Sequence, residues 1–391
     1  MISFEKASAI LNQSVRTFGT ERVPLGNSLN RVLAEDIFSD EDIPPFRKSL
    51  MDGFACRRKD LQAPLRITAD IPAGTSPPGE LGENECMRIM TGGMVPLGAD
   101  CVIKKEDTEL LKNGLVRCRN TGADSNISPM GEDFKTGELA LQSGCLLGAP
   151  QVAVMAALGK GHPMVYHQPT VAVISTGNEL VDPLNKPGIS QIRDGNGYQL
   201  RAQAMQMGLR AEYLGIARDD KTLLASMLAP ALERYPLVLI SGGVSVGELD
   251  YVPGVIKDLG VDIRFHRVQV KPGKHMLFGV KGDHFIFGFP GNPVSSFVLF
   301  EILVKPFIMR CMGYRGSTEI HTMTLAETFR HSSPELMLFI PVDYDVNGSV
   351  KPVTYHGSAH IHAYTMAKGI MEVPAGILEI KKGEKVHVRP L

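Results

Sequence analysis

Apolar positions along this chain change their period repeatedly, and each change marks a different kind of structure. Phe4, Ala7, Ile10, Leu11 and Val15 share one face of a helix that Ser3 opens. From Val32 the text becomes polar and proline-broken, through Ala34 to Phe46. Short alternating runs follow as far as Asp133: Leu65-Arg-Ile-Thr, Cys86-Met-Arg-Ile-Met90, Cys101-Val-Ile-Lys-Lys-Glu106 and Leu115-Val-Arg-Cys-Arg119. Turn signals at Pro77-Pro78, Gly92-Gly93 and Asn113-Gly114 separate them, so this stretch reads as a small β-rich module. A helical run, Gln151 to Leu158, ends at Gly159 and is short enough to need a partner such as the N-terminal helix. That pairing makes the β module an insertion into a helical domain.

From Thr170 strands and helices alternate. Val171 to Ser175, Tyr213 to Ile216, Leu237 to Ile240 and Phe285 to Gly288 read as buried strands. Helices are expected from about Gly197 to Met207 and after Asp219-Asp220, whose carboxylates suit a cap. Asn292 followed by Pro293 starts another, running toward Cys311 with a kink or stop near Pro306. Such alternation predicts a parallel sheet covered on both faces. After Gly313 the period returns to two, in Met323 to Phe329, Met337 to Val342, Val350 to Thr354 and Val386 to Val388, which predicts a small all-β domain at the C-terminus.

Composition narrows the class. With 391 residues, 43% apolar and 21% charged, the chain is a globular protein of several domains. A net charge of −1 gives no electrostatic footprint for nucleic acid or an anionic membrane. No apolar run reaches spanning length and Met1-Ile-Ser-Phe-Glu is no signal peptide, so a cytoplasmic protein is expected. The 6 cysteines lie far apart without a C-x-x-C pair and read as reduced, packed thiols. His356, His360 and His362 have spacings open to a metal, but ordinary loop or strand histidines are the plainer reading.

Candidate chemistry concentrates after the strands of the α/β region. Glu179, Asp219 and Asp250 follow strands and suit Mg²⁺, which takes few protein oxygens and shares the rest with water and phosphate. A helix cap for Asp219 and solvated loop acids for the other two are the bland alternatives. Ser241-Gly-Gly-Val-Ser-Val-Gly247 offers hydroxyls and unobstructed N–H groups to phosphate oxygens, through Gly242, Gly243 and Ser245. It is neither a P-loop nor a dinucleotide fingerprint. Lys271-Pro-Gly-Lys274 sets two ammoniums across a turn, as a clamp for one anion or simply as a surface hairpin. Pro290-Gly-Asn-Pro-Val-Ser295 joins a rigid turn, a helix start and a hydroxyl. No Ser-His-Asp arrangement, Gly-x-Ser-x-Gly elbow or aromatic-basic interleaving is present.

Together these motifs resemble the molybdopterin molybdenumtransferases, the MoeA and gephyrin E-domain type. The resemblance rests on Ser49-Leu-Met-Asp-Gly-Phe-Ala55, Arg88-Ile-Met-Thr-Gly-Gly93, Gly131-Glu-Asp133, Ser175-Thr-Gly-Asn-Glu-Leu180, Ser241 to Gly247 with Asp250-Tyr251, the Lys271 turn and Pro290 to Ser295, in that order along nearly the whole chain. It implies four domains: residues 1–38 with 137–168 (helical, discontinuous), 39–136 (β-rich insertion), 169–313 (MogA-like parallel α/β, binding molybdopterin or nucleotide) and 314–391 (β-barrel-like). It further implies a homodimer whose cleft lies between subunits, fed by a molybdopterin adenylyltransferase. The reaction it implies is Mg²⁺-dependent insertion of molybdate into adenylylated molybdopterin with release of AMP. On this resemblance Asp52, Thr91, Glu106 and Asp133 face the cleft from the β-rich side. Glu179, Asp219, Asp250, Lys271, Lys274, Pro290, Pro293 and Ser295 face it from the α/β side, and Ser358 belongs to a glycine-serine loop of the last domain. The chain departs from the family pattern at Ser128-Pro-Met130 and around Phe339-Ile-Pro341, where arginines are usual, and at His275, where proline is usual. Arg193, Arg267 or His275 is expected to substitute, or the anion is held more weakly. A non-catalytic molybdopterin-binding scaffold of the same fold is the alternative function.

Overall fold

Val171–Thr176, Ala211–Ala217, Leu237–Ser241 and His284–Phe289 are the four apolar runs from which the α/β region is built. In the computed structural model, which describes residues 1–391 except Ala123, Val246, Glu248 and Leu249, they lie side by side and parallel. Register sets Ser175 beside Ser241, Ser241 beside Phe289 and Thr176 beside Ala217, so all four strands end at one edge. An antiparallel pair, Leu277–Lys281 and Asp262–Phe265, extends this sheet beyond His284–Phe289. The sheet is therefore mixed rather than wholly parallel.

Helices Asn196–Gln206, Lys221–Arg234 and Val252–Asp258 belong to this region. Asp220, not Asp219, caps the second, its carboxylate accepting the Leu223 N–H at 2.9 Å. Phe278, Phe285, Phe287 and Phe307 cluster in the core, with Phe278–Phe287 centroids 4.8 Å apart and Phe285–Phe307 centroids 4.9 Å apart. Each buried ring contributes roughly 1.5–3 kcal/mol over leaving it in water. The helix that starts at Asn292 and Pro293 runs Pro293–Leu299, loosens into a π segment at Phe300–Val304, and resumes as Lys305–Cys311. The expected kink near Pro306 takes this form because proline lacks an N–H and its ring crowds the carbonyl one turn earlier.

The chain divides into two compact units, Met1–Glu35 with Gly144–Ala149 and His162–Leu391 in one, and Asp36–Ser143 with Pro150–Gly161 in the other. The first also contains the N-terminal helix Phe4–Ser14, whose Ser3 hydroxyl accepts the Lys6 N–H. Thr20–Arg22 pairs there with Met164–Tyr166. Its C-terminal strands close a barrel: Met337–Tyr344, Ser349–Pro352, His321–Leu325, Lys385–Pro390 and Gly369–Val373, which pairs back onto Met337–Tyr344. Val270–Lys271 adds to that barrel in parallel with Met337 and Leu338.

The second unit is built on a six-stranded sheet in the order Cys101–Lys104, Gly53–Cys56, Glu85–Ile89, Leu65–Ile71, Leu115–Cys118, Thr108–Leu110. Gly53 sits between Ile89 and Lys104, and a Cβ there would lie 1.9 Å from the Ile103 carbonyl oxygen, so only glycine lets these strands meet. Cys56 has Cys86 on one neighbouring strand and Cys101 on the other, with the Cys56 and Cys101 sulfurs 3.6 Å apart. Burial pushes the Cys86 thiol up to about 12, which keeps it protonated and inert as a packed apolar group. Among the described residues no helix is long and apolar enough to cross a membrane.

Candidate active site

Where the four parallel strands end, their loops are tied into one platform. Gly242 donates its N–H to the Phe289 carbonyl at 2.9 Å, and a Cβ on Gly242 would stand 2.2 Å from the Thr176 carbonyl oxygen. With φ of +94° at Gly242 and +63° at Gly243, this turn requires glycine on both counts. Asn196 opens the neighbouring helix, and its side-chain amide donates to the Ser241 hydroxyl and the Gly291 carbonyl, each at 2.8 Å. Asp194 is buried beside it, accepting the Gly197 N–H at 3.0 Å and the Tyr213 hydroxyl at 2.6 Å.

Asp219 follows Ala217 at the same edge. One carboxylate oxygen accepts the Thr176 hydroxyl at 3.2 Å and the other the Asn178 N–H at 3.0 Å, while Asn178 accepts the Asp219 N–H at 3.2 Å. This clip between two strand ends is the work the structure gives Asp219. Glu179 is exposed on the same turn, its carboxylate folded close over Gly177. Asp250 accepts the Gly247 N–H at 2.7 Å within its own short turn, while the Val252 N–H donates to the Gly243 carbonyl at 3.2 Å and closes the loop that Gly242 begins. Ser245 lies within that loop, its hydroxyl 3.4 Å from Nδ1 of His275.

The lysine turn carries both ammoniums exposed, and Lys271 donates to the Ser333 hydroxyl at 3.0 Å. At the helix start Ser295 is buried with 3% exposure, and the neighbouring Ser296 hydroxyl bonds the Pro290 carbonyl at 2.7 Å. Ser358 reaches the same place through its backbone, its carbonyl accepting the Val294 N–H at 3.0 Å. Pro290 and Pro293 have no N–H to give, so Pro290 to Ser295 offers a ligand fewer amides than a free helix start would.

Within the other unit, Asp52 accepts both the N–H of Thr91 at 2.7 Å and its hydroxyl at 2.8 Å. These two donors, with the Lys105 charge adding to them, hold the Asp52 carboxyl below the usual range. Asp42 makes the same pair of bonds with Thr136, at 2.8 and 2.9 Å, so the clip alone is no mark of catalysis. The surroundings distinguish them: Asp52 lines a cavity of about 430 Å³ with Arg88, Lys105, Phe54 and Thr108. Asp133 lies on a separate shallow depression with Glu132 and Lys135, and is not among the residues lining the Asp52 cavity. Glu106 sits in the short turn Lys105–Asp107. Replacing Thr91 by valine removes one donor and keeps the other, so the Asp52 carboxyl is expected to titrate at higher pH. A ¹³C titration of the carboxyl reads this, and an unchanged midpoint would contradict the clip. The sign follows from a depressed folded-state value: the small stabilisation is present above the ordinary aspartate range and is lost as pH falls through the lowered one.

Among the described residues no three His, Cys, Asp or Glu side chains converge as a metal site, and Glu179, Asp219 and Asp250 do not form one cluster. His356 and His360 stack with centroids 5.0 Å apart. Mg²⁺ needs only one or two protein carboxylates beside phosphate and water, and Asp250, whose bond to the Gly247 N–H uses one carboxylate oxygen, has the donor chemistry for it. The platform residues Asn178, Asp194 and Asn196 escape sequence reasoning, since each acts through contacts that only the folded sheet edge brings together.

This arrangement of a mixed sheet with glycine-rich loops at its carboxyl edge, a β-rich unit and a closed barrel is that of a MoeA-type multidomain protein. Residues 2–159 match the family described as MoeA N-terminal region (domain I and II), and residues 172–310 the family described as probable molybdopterin binding domain. A molybdopterin molybdenumtransferase of Staphylococcus aureus strain Mu50 is 33% identical over 94% of this chain and 90% of its own length. That of strain MRSA252 is 33% identical over 98% of this chain and 94% of its own. A Pyrococcus horikoshii structure described as a molybdopterin biosynthesis MoeA protein superposes with TM-score 0.77 at 32% identity, covering 100% of this chain and 99% of that one. The chain belongs to the molybdopterin molybdenumtransferase family, and so to the transferases of molybdenum cofactor biosynthesis.

Proposed function

We propose that this protein transfers molybdenum from molybdate to adenylylated molybdopterin, releasing AMP, in a Mg²⁺-dependent reaction. The observation that supports this reading is the platform at the sheet edge, where the loop carrying Gly242, Gly243 and Ser245 is closed by the Val252 N–H on the Gly243 carbonyl, with Asp250 beside that closure. The glycines are required by this close packing on Thr176, and they also keep side chains off the backbone that a phosphate would approach. Lys271 and Lys274, both exposed and neither paired with a carboxylate among the described residues, supply positive charge for a tetrahedral dianion. Pro290, Pro293, Ser295 and Ser358, joined through the Val294 N–H on the Ser358 carbonyl, would form a wall of the same site.

Asp250 would hold Mg²⁺, with Glu179 exposed on the turn after Thr176 and Asp219 already engaged by Thr176 and Asn178. When bound, Mg²⁺ offsets phosphate charge and polarises the phosphoanhydride. Asp52, held ionised by Thr91, can accept a proton or orient a cationic or hydroxyl group, and does not serve as an acid near neutral pH. Asp133 is a second carboxylate of that side. The family resemblance supports a homodimer in which Asp52 and Thr91 of one copy complete the site of the other, with a molybdopterin adenylyltransferase as donor of the substrate. Purified protein given Mg²⁺, molybdate and adenylylated molybdopterin is expected to release AMP, and to stop when Mg²⁺ is chelated. Tight pterin binding without AMP release would instead favour a non-catalytic scaffold.

A further inference from the structure

Asn196 holds two loops of the sheet edge at once, and none of the roles given above uses it. Its side-chain nitrogen donates to the Ser241 hydroxyl and to the Gly291 carbonyl, each at 2.8 Å, across 45 and 95 residues of chain. A carbonyl can only accept, so the amide turns its two N–H groups to this side and both are used. Ser241 ends its strand just before the Gly242 turn, and Gly291 lies in the turn before Pro293. At their base these loops are already joined through the Gly242 N–H on the Phe289 carbonyl at 2.9 Å. Asn196 adds a second tie, made by a side chain from a third segment. Its own position is fixed from beneath. Asp194, 2% exposed, accepts the Gly197 N–H at 3.0 Å and the Tyr213 hydroxyl at 2.6 Å. A Cβ on Gly197 would stand 2.5 Å from the Tyr213 ring and 2.6 Å from both the Asp194 carboxylate and the Ser175 hydroxyl, so the helix start is pressed onto the sheet edge. A half-buried amide with such support under it is held in one place.

We infer that Asn196 is a positioning residue, which sets the spacing between the Ser241 loop and the Pro290 to Ser295 loop for a substrate bound across both. The inference rests on the transferase reading given above, with phosphate on the first loop and the oxyanion beside the second. Groups held on separate loops react only if the loops keep their separation, and a displacement of about 1 Å at such a junction can cost about 100-fold in rate. Donation from Asn196 also leaves the Ser241 hydroxyl its own hydrogen, free for a phosphate oxygen. A ligand that touches one loop alone gains nothing from the tie. The chemical step, which needs both loops in place, gains most. That difference separates positioning from plain stitching of the fold, whose loss would weaken every ligand alike.

The test compares single-turnover AMP release by the full-length protein, with Mg²⁺ and saturating molybdate and adenylylated molybdopterin, against its separate affinities for AMP and for molybdate. In Asn196→Ala the rate at saturation is expected to fall about 100-fold, with each single-ligand affinity within about threefold of wild type. Asn196→Gln keeps the two-donor amide on a longer stem and serves even where the alanine variant does not fold. Its rate should fall about tenfold, again with both affinities kept. Ser241→Ala meets the tie from its other end, and combined with either Asn196 variant it should cost less than the product of the separate effects, because both remove the same bond. A rate and two affinities that fall together overturn the inference, as do a wild-type rate in the Asn196 variants or separate costs that multiply; all three leave the transferase reading intact. Absence of AMP release from wild type overturns that reading and the positioning role with it.

Discussion

Replacing Asp250 by alanine is expected to lower AMP release at least ~100-fold while leaving the thermal unfolding midpoint of the protein nearly unchanged. The carboxylate does two things at the sheet edge. It accepts the Gly247 N–H at 2.7 Å, a bond within its own turn, and it brings negative charge to a surface otherwise crowded with Lys274, Arg267 and His275. The hydrogen bond is worth only ~1 kcal/mol, because water replaces it in the open loop. The charge carries the larger effect if a divalent cation is held there. Asp250→Asn separates the two, since it keeps an acceptor for Gly247 and loses the charge. Near-wild-type activity in Asp250→Asn would remove Asp250 from metal binding and reduce it to a loop clasp.

Mixing two inactive variants is expected to restore activity. If Asp52 of one copy and Asp250 of another serve the same site, Asp52→Ala and Asp250→Ala homodimers should each be nearly inactive. Random exchange of their subunits makes half the dimers mixed, and each mixed dimer has one site with both carboxylates intact. Activity should therefore recover to roughly one quarter of wild type after exchange. No recovery after verified exchange would place Asp52 and Asp250 in the same subunit's site, or Asp52 outside it. The measurement is AMP release before and after mixing, with subunit exchange followed by mass on differently tagged chains.

The sequence was most legible where one local cause decides the structure. Asn292-Pro293 starts a helix because a cap and a φ-fixed first residue suffice, and the run Leu237–Ser241 is apolar enough that only a buried central strand accommodates it. Reading failed where partners are distant. Asp262–Phe265 joins Leu277–Lys281 only across the lysine turn, which no local pattern announces, although the Gly282-Asp283 hairpin between Leu277–Lys281 and His284–Phe289 is itself a local signal. Gly369–Val373 closes the barrel through pairing with Met337–Tyr344 and Lys385–Pro390, which no local pattern announces. The π segment Phe300–Val304 is a response to Pro306, foreseen as a kink but not in form.

Candidate residues divide in the same way. Gly242 and Gly243 were visible as glycines after a strand, and the close approach to Thr176 gives the physical reason for both. Asp219 reads from the sequence as a metal ligand or a cap; Asp220 is the cap, and the Asp219 oxygens accept bonds from Thr176 and Asn178. Asp52 and Thr91 lie 39 residues apart and meet because Gly53–Cys56 and Glu85–Ile89 pair antiparallel, a contact that motif order along the chain suggests but cannot explain.

The central claim is that molybdenum moves onto the pterin as AMP leaves. Its most direct test is a single-turnover reaction with Mg²⁺, molybdate and adenylylated molybdopterin, followed by elemental analysis of the separated pterin product and quantitation of AMP. Equal amounts of pterin-bound molybdenum and AMP are predicted, both falling together in Asp250→Ala. AMP released without molybdenum on the pterin, or pterin bound with neither change, would contradict it.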